Sequence, residues 1–164
     1  MRKMQFFYDY LCPFCKLGYE YLQKEIGSHS DIEIDWRPVE SHPEPEDYHP
    51  HTHLAGQSFY AAKELGADIH KFHAALYKAV AEEGQNVEKA EVICGIVKDI
   101  VDPAKLRAIL DSGKYAKQVD ENNSLAFEKS GVWFLPAFRM DGKKLDAQGG
   151  VGVSPGELRD FLAR

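Results

Sequence analysis

Met4-Gln5-Phe6-Phe7-Tyr8-Asp9-Tyr10-Leu11-Cys12-Pro13-Phe14-Cys15 carries the strongest signal in this chain. An apolar, aromatic run ends at two cysteines separated by two residues, and a helical pattern begins at once. Cysteines so spaced in the first turn of a helix bring their sulfurs within disulfide range without moving the backbone. The helix N-terminus offers unpaired N–H groups and partial positive charge. Both favour a thiolate, which is the reactive form of cysteine. Pro13 suits the first helical position, where no N–H is needed. Cys12 is therefore expected to be the exposed, low-pKa nucleophile, and Cys15, one turn in, the buried resolving thiol.

A lone Cys-x-x-Cys is shared by redox sites, zinc sites and structural disulfides. Zinc normally requires a second pair of ligands, and the chain has no second Cys-x-x-Cys. The strand–Cys-Pro-x-Cys–helix context favours redox chemistry.

Around this motif, residues 3–9 read as a central strand and Cys12 to Ile26 as a helix. Phe14, Leu17, Gly18, Tyr21, Leu22 and Ile26 share one helical face, and Gly27 is the stop. Ile32-Glu33-Ile34-Asp35-Trp36 alternates apolar and charged residues, a second strand. Strand, helix and strand at this length make a βαβ unit with a parallel pair and a right-handed crossover. Residues 37–53 hold Pro38, Pro43, Pro45 and Pro50 and read as a loop.

From 54 to 130 the pattern is helical: Leu54–Leu65, a stripe of Ile69, Phe72, Leu76, Tyr77 and Val80 after the N-cap Asp68, then Val87–Val101. Asp102-Pro103 opens the next helix, which ends near Gly113, and Tyr115–Ser130 follows. The β signal returns over Gly131–Met140. Asp141-Gly142 predicts a tight hairpin turn into Lys143–Ala147. Ser154-Pro155-Gly156-Glu157 is a capping box that opens a last helix through Leu158, Phe161 and Leu162.

The chain has 164 residues, enough for one domain or a domain carrying an insertion, with an ordinary globular core. Its net charge of −6 and the lack of a Lys/Arg cluster argue against a nucleic-acid partner. Three cysteines are too few for a secreted disulfide framework. No apolar run approaches the length of a membrane span, so no membrane partner is expected. Met1-Arg2-Lys3 imitates the start of a signal peptide, but the following segment is short and contains Asp9. A cytoplasmic protein is the expectation.

The order βαβ, helical block, hairpin, helix, with Cys-Pro-x-Cys after the first strand and an x-Pro opening the third, resembles the DsbA family. The resemblance implies a thioredoxin fold (α/β, βαβ…ββα) with an all-helical insertion: residues 1–53 and 131–164 as the core, 54–130 as the inserted domain. Tyr8 to Gly18, Trp36-Arg37-Pro38, and Gly149 before Ser154-Pro155-Gly156-Glu157-Leu158 are most similar to its FrnE-like branch. The implied activity is dithiol–disulfide exchange, with Cys12 and Cys15 catalytic and no organic cofactor. Pro136 is the implied cis-proline facing the dithiol, and Leu135 presents backbone groups to an extended substrate beside Pro13 and Phe14. A protein or small-molecule thiol or disulfide is the implied partner, glutathione included.

Two departures from the family pattern stand out. The buried acid that many relatives carry six positions before the first cysteine is Phe6 here, so water or another carboxylate must take its place as proton acceptor for Cys15, with Asp9 and Glu20 as the candidate carboxylates. Phe14 stands where strongly oxidising DsbA proteins have histidine, which implies weaker thiolate stabilisation and a less oxidising couple.

Cys94, inside Val92–Val97, reads as a core residue. His70 and His73 read as surface or boundary residues, while Trp133 and Phe134 divide evenly between core and docking surface. His42, His49, His51 and His53 crowd the Pro-rich loop, and His49-x-His51-x-His53 could chelate a metal if extended. No metal ligand is assigned to the cysteine site. The rival functions are a 2-hydroxychromene-2-carboxylate isomerase or kappa-class glutathione transferase, which place a serine or a glutathione site at the first cysteine, and a metal-binding module built from Cys12, Cys15 and the loop histidines.

Overall fold

The computed structural model describes residues 1–163. A four-stranded sheet runs in the order β2-β1-β3-β4, from β1 (Arg2–Tyr8), β2 (Ile32–Pro38), β3 (Ala137–Met140) and β4 (Lys143–Asp146). β1 lies parallel to β2 and antiparallel to β3, with Phe6 opposite Trp36 on one side and Phe138 on the other. The Phe6 ring stacks on Phe138 at 4.9 Å and meets Trp36 edge-on at 5.7 Å. Successive strand residues face opposite ways, so burial of both Phe6 and Phe7 means that both faces of β1 are covered. The β3–β4 hairpin turns at Asp141 and Gly142, both at positive φ (52° and 75°), the backbone that a two-residue hairpin of this kind requires.

Helix α1 (Pro13–Ile26) follows β1 and packs against α7 (Pro155–Ala163). The capping box of α7 is formed: Ser154 N–H donates to the Glu157 carboxylate and Glu157 N–H to Ser154 Oγ, each at 3.1 Å. This is the thioredoxin-like arrangement. Between β2 and β3 lies the helical block. It comprises α2 (His53–Glu64), α3 (Ile69–Tyr77, prolonged by a π-helical turn over Lys78–Glu82), α4 (Ala90–Ile96), α5 (Pro103–Ser112) and α6 (Ala116–Asn123, prolonged likewise over Ser124–Lys129). Asp68 and Asp102 cap α3 and α5 by accepting from the second and third N–H groups of each helix. No helix among the described residues is long and apolar enough to cross a membrane.

Three expectations change. The helix expected over Val87–Val101 shortens to Ala90–Ile96, in a segment whose Val92, Ile93, Ile96, Val97, Ile100 and Val101 carry the β-branched side chains that helices accommodate less well. The strand expected over Gly131–Met140 begins only at Ala137, because Pro136 has no N–H for a ladder and Trp133 and Phe134 face outward. His73 is fully buried instead of lying at the surface. It belongs to the inward stripe of α3 with Phe72, Leu76 and Tyr77.

Asn122 and Asn123 fasten the helical block to the end of β2. Asn122 Nδ2 donates to the Pro38 carbonyl at 3.1 Å and its Oδ1 accepts from Arg37 at 3.2 Å. Asn123 Oδ1 accepts from Glu40 N–H at 2.9 Å. These bonds fix the segment that leads to the cysteines' surroundings.

The His73 ring stacks on Phe59 at 5.1 Å and sits 4.5 Å from Trp36, and its Nδ1 is 2.9 Å from the Tyr10 hydroxyl. Burial lowers its pKa from the ordinary 6.5 to about 3, so the folded ring is neutral. A depressed folded pKa means that the unfolded state binds more protons between about 3 and 6.5, so this contribution to stability is lost as pH falls through that window. His73→Phe should abolish that part of the slope of Tm against pH between 6.5 and 4, read by circular dichroism. It should also cost about 1–3 kcal/mol at neutral pH through the stranded Tyr10 hydroxyl.

Candidate active site

The site forms where β1 hands over to α1. Cys12 is the N-cap of α1, with extended backbone (φ −85°, ψ 115°), and Pro13 occupies the first turn. Its sulfur accepts the Cys15 backbone N–H at 3.3 Å, so Sγ itself caps the helix. The Leu135 carbonyl lies 3.8 Å from Cys12 Sγ, brought there from 123 residues away. The Leu135–Pro136 bond is cis. The Pro136 carbonyl accepts the Ala147 N–H at 3.0 Å, which pins the loop to the edge of the sheet.

The contact that sets this geometry is at Gly18. A Cβ there would lie 2.9 Å from Pro136 Cγ, closer than side-chain carbons pack, so only glycine lets the Pro136 ring rest on α1. Gly152 plays a similar part beneath Phe14, where a Cβ would meet Phe14 Cδ1 at 3.0 Å and where φ is +86°.

The two thiols are free, Cys12 half-buried and Cys15 fully buried. A hydrogen bond from the Cys15 thiol holds the Cys12 pKa below its ordinary value; the Cys15 and Phe14 N–H groups add to it, and burial and Asp9 oppose it. Burial pushes the Cys15 pKa well up, and the neighbouring Cys12 adds to the rise. The expectation of an exposed Cys12 is thus corrected to a half-buried one, because the Leu135 loop leans over it.

Asp9 and Glu20 separate cleanly. Glu20 sits 44% exposed in an ion pair with Lys16, on the outer face of α1. It cannot serve Cys15. Asp9 is buried at the end of β1; its backbone N–H donates to Cys15 Sγ at 3.5 Å. Its carboxylate accepts from Leu11 N–H at 3.0 Å and Ser41 N–H at 2.8 Å. Burial raises its pKa against those donors. Phe6, by contrast, is wholly committed to the aromatic core.

A cavity of about 380 Å³ opens over Cys12, between Phe14, the Leu135 loop, Phe127 of the helical block, Ser41 and His42. Trp133 and Phe134 stand at its mouth, 81% and 46% exposed, so the core reading of these rings falls. Cys94 is buried in α4, as a core residue. Among the described residues, the titratable side chains whose donor atoms gather are His49, His51 and Glu88, with no cysteine among them. The rival module joining Cys12 and Cys15 to the loop histidines is therefore not what the fold assembles. Leu135, Pro136, Phe14 and Pro13 come together around Cys12, while His53 turns away to Asp120 at 2.8 Å.

Residues 3–158 match the family model of the DSBA-like thioredoxin domain. The chain belongs to this family. Similar solved structures include a probable DsbA oxidoreductase from Streptomyces coelicolor, with a TM-score of 0.81 at 15% identity over 99% of this chain and 89% of that one. Pseudomonas aeruginosa DsbA has a TM-score of 0.74 at 20% identity, over 99% of this chain and 80% of that one. Chlamydia trachomatis DsbA has a TM-score of 0.75 at 12% identity, over 99% and 85%. At these identities the likeness is one of fold. No curated protein sequence matches the chain.

For a member of the DSBA-like family, two features escaped the sequence. Glu40 is buried, its Oε2 accepts from Asn123 at 3.2 Å, its Oε1 has no partner, and burial raises its pKa. Asp9 adds to the rise, so the two buried acids act on each other. Phe127 reaches the cavity from the helical block. Neither carries a local signal: one follows Pro38 in an irregular segment, and the other looks like any helix residue.

Gly18 and Gly95 make a matched test. In a helix, alanine in place of glycine is favourable by roughly 1 kcal/mol. Gly95 has nothing within 4 Å of its Cβ position, so Gly95→Ala should raise Tm. Gly18→Ala drives a methyl into Pro136, so it should lower Tm by an overpacking cost of about 1–3 kcal/mol. Thermal melts of the two variants should move in opposite directions.

Proposed function

We propose that this protein is a thiol–disulfide oxidoreductase of the FrnE-like kind that works through its Cys12-Pro13-Phe14-Cys15 dithiol and a mixed-disulfide intermediate. The observation that carries this reading is the opposed setting of the two thiols, Cys12 held low at a helix N-terminus and facing the Leu135 carbonyl, Cys15 held high behind it. The Cys12 thiolate attacks one sulfur of a substrate disulfide. A Cys12–substrate S–S bond forms, and the other substrate sulfur leaves as a thiolate. Cys15 then loses its proton and attacks Cys12 Sγ; the Cys12–Cys15 bond forms, the Cys12–substrate bond breaks, and the second substrate sulfur leaves as a thiolate. The enzyme ends oxidised and the substrate reduced by two electrons, and the reverse sequence oxidises a dithiol.

Asp9 is the acceptor for the Cys15 proton in this scheme, since burial raises its pKa and its charge acts on the Cys15 thiol. Protein disulfides are the proposed substrates. Trp133 and Phe134 give an apolar rim for a peptide, and the Leu135 carbonyl gives an extended strand a hydrogen-bond acceptor. Two intact cysteines speak against the isomerase and glutathione-transferase reading. The low cysteine count is the ground for proposing a cytoplasmic setting.

Iodoacetamide labelling of the reduced protein with mass mapping tests the roles. Cys12 should alkylate much faster than Cys15, its rate rising through an apparent pKa below the free-cysteine value of about 8.5. Cys12→Ser should abolish exchange, and Cys15→Ser should accumulate mixed disulfides. Equal labelling of the two cysteines would sink the assignment.

Asp9→Asn should leave the first attack intact and slow the release of substrate from the mixed disulfide on the order of 100-fold. Stopped-flow kinetics with a disulfide peptide separates these steps; equal slowing of both would remove Asp9 from the scheme.

A further inference from the structure

The Pro-rich loop between β2 and α2 gathers polar side chains that dithiol chemistry does not use. His49, His51 and Glu88 each bring a ligand atom within 4.8 Å of the other two. His51 is only 6% exposed, and its Nδ1 lies 3.0 Å from the His42 carbonyl. A carbonyl oxygen can only accept, so Nδ1 carries the ring proton and the Nε2 lone pair points away from it. That Nε2 lies 3.3 Å from Glu44 Oε1, which leaves two acceptors facing each other. His49 is placed likewise, with Nδ1 3.0 Å from Glu88 Oε2 and Nε2 3.4 Å from Asp47 Oδ1. Lone pairs and carboxylates converging in this way need a proton or a metal ion between them.

We propose that His49, His51 and Glu88 bind one divalent transition-metal ion, of which zinc is the type, separate from the cysteine site. Two imidazoles and a carboxylate are a donor set that zinc accepts readily, with a fourth position left for water. The His51 Nδ1–H to His42 carbonyl bond is the outer contact that metal-bound histidines commonly make; it fixes the tautomer and aims Nε2. A cleft of about 230 Å³ beside His49, Pro50 and Glu88 gives entry. A tetrahedral zinc site needs ligand atoms roughly 3.3 Å apart, so the loop must close slightly on the ion. Because Glu88 precedes α4, the ion would tie the loop to the helical block. The same loop carries Ser41 and His42 into the Cys12 cavity.

The test is calorimetric titration of zinc chloride into the full chain bearing Cys12→Ser and Cys15→Ser, so that the dithiol contributes no ligand. One zinc ion per chain is expected. His49→Ala and Glu88→Gln in that background should each weaken binding by at least about tenfold. His53→Ala, at the start of α2 and paired to Asp120, should leave it unchanged. His49 and Glu88 lie toward the surface, so their variants should keep the parent's circular dichroism without metal. Cobalt in place of zinc should give the visible bands of a four-coordinate ion without sulfur charge transfer. No binding at millimolar zinc, binding that survives both substitutions, or equal loss in His53→Ala would each overturn the proposal.

Discussion

The Pro136 ring lies so close to Gly18 that a Cβ at residue 18 would meet it, and this approach fixes how near the Leu135 loop comes to α1. It thereby sets the distance from the Leu135 carbonyl to the Cys12 sulfur. The groups that lower the Cys12 pKa all belong to the first turn of α1. The Leu135 side of the cavity, with its carbonyl and the exposed rings of Trp133 and Phe134, arrives through this contact. A single methyl group at residue 18 would separate the two halves of the site.

Behind that surface, the electrostatics are organised by burial. Sharing one hydrogen bond and one helix end would leave the two thiols alike, were it not that Cys15 is fully buried and Cys12 is not. Desolvation penalises a thiolate, so it raises Cys15 and leaves Cys12 the acidic member. The same effect raises Asp9 and Glu40. Asp9 acts on Cys15 directly, and Glu40 acts on Asp9.

The helical block is more than a lid. Its inner wall is the aromatic cluster of Phe59, His73 and Tyr77, which meets Tyr8, Tyr10 and Trp36 from the sheet side. Its far end supplies Phe127 to the cavity, and Asn122 and Asn123 lock it to the end of β2. The segment from Ser41 to His51 lies between these anchors, in contact with the cavity at one end and with the His49–Glu88 cluster at the other.

The elements and their order were legible before any coordinate. Caps at Asp68, Asp102 and Ser154, the Asp141-Gly142 turn and the period of each apolar stripe are local, governed by the sterics and hydrogen bonds of neighbouring residues. The opposed settings of Cys12 and Cys15 were legible for the same reason, since a helix N-terminus acts over one turn. Encounters between distant residues were not: Pro136 on Gly18, Leu135 on Cys12, Tyr10 with His73, Glu88 with His49. Local periodicity cannot say which buried histidine meets which tyrosine. Nor can it say that Trp133 faces water while Pro136, in the same loop, rests on a helix. Those outcomes follow from how whole elements fill space against one another, a property of the packed molecule and not of any one stretch.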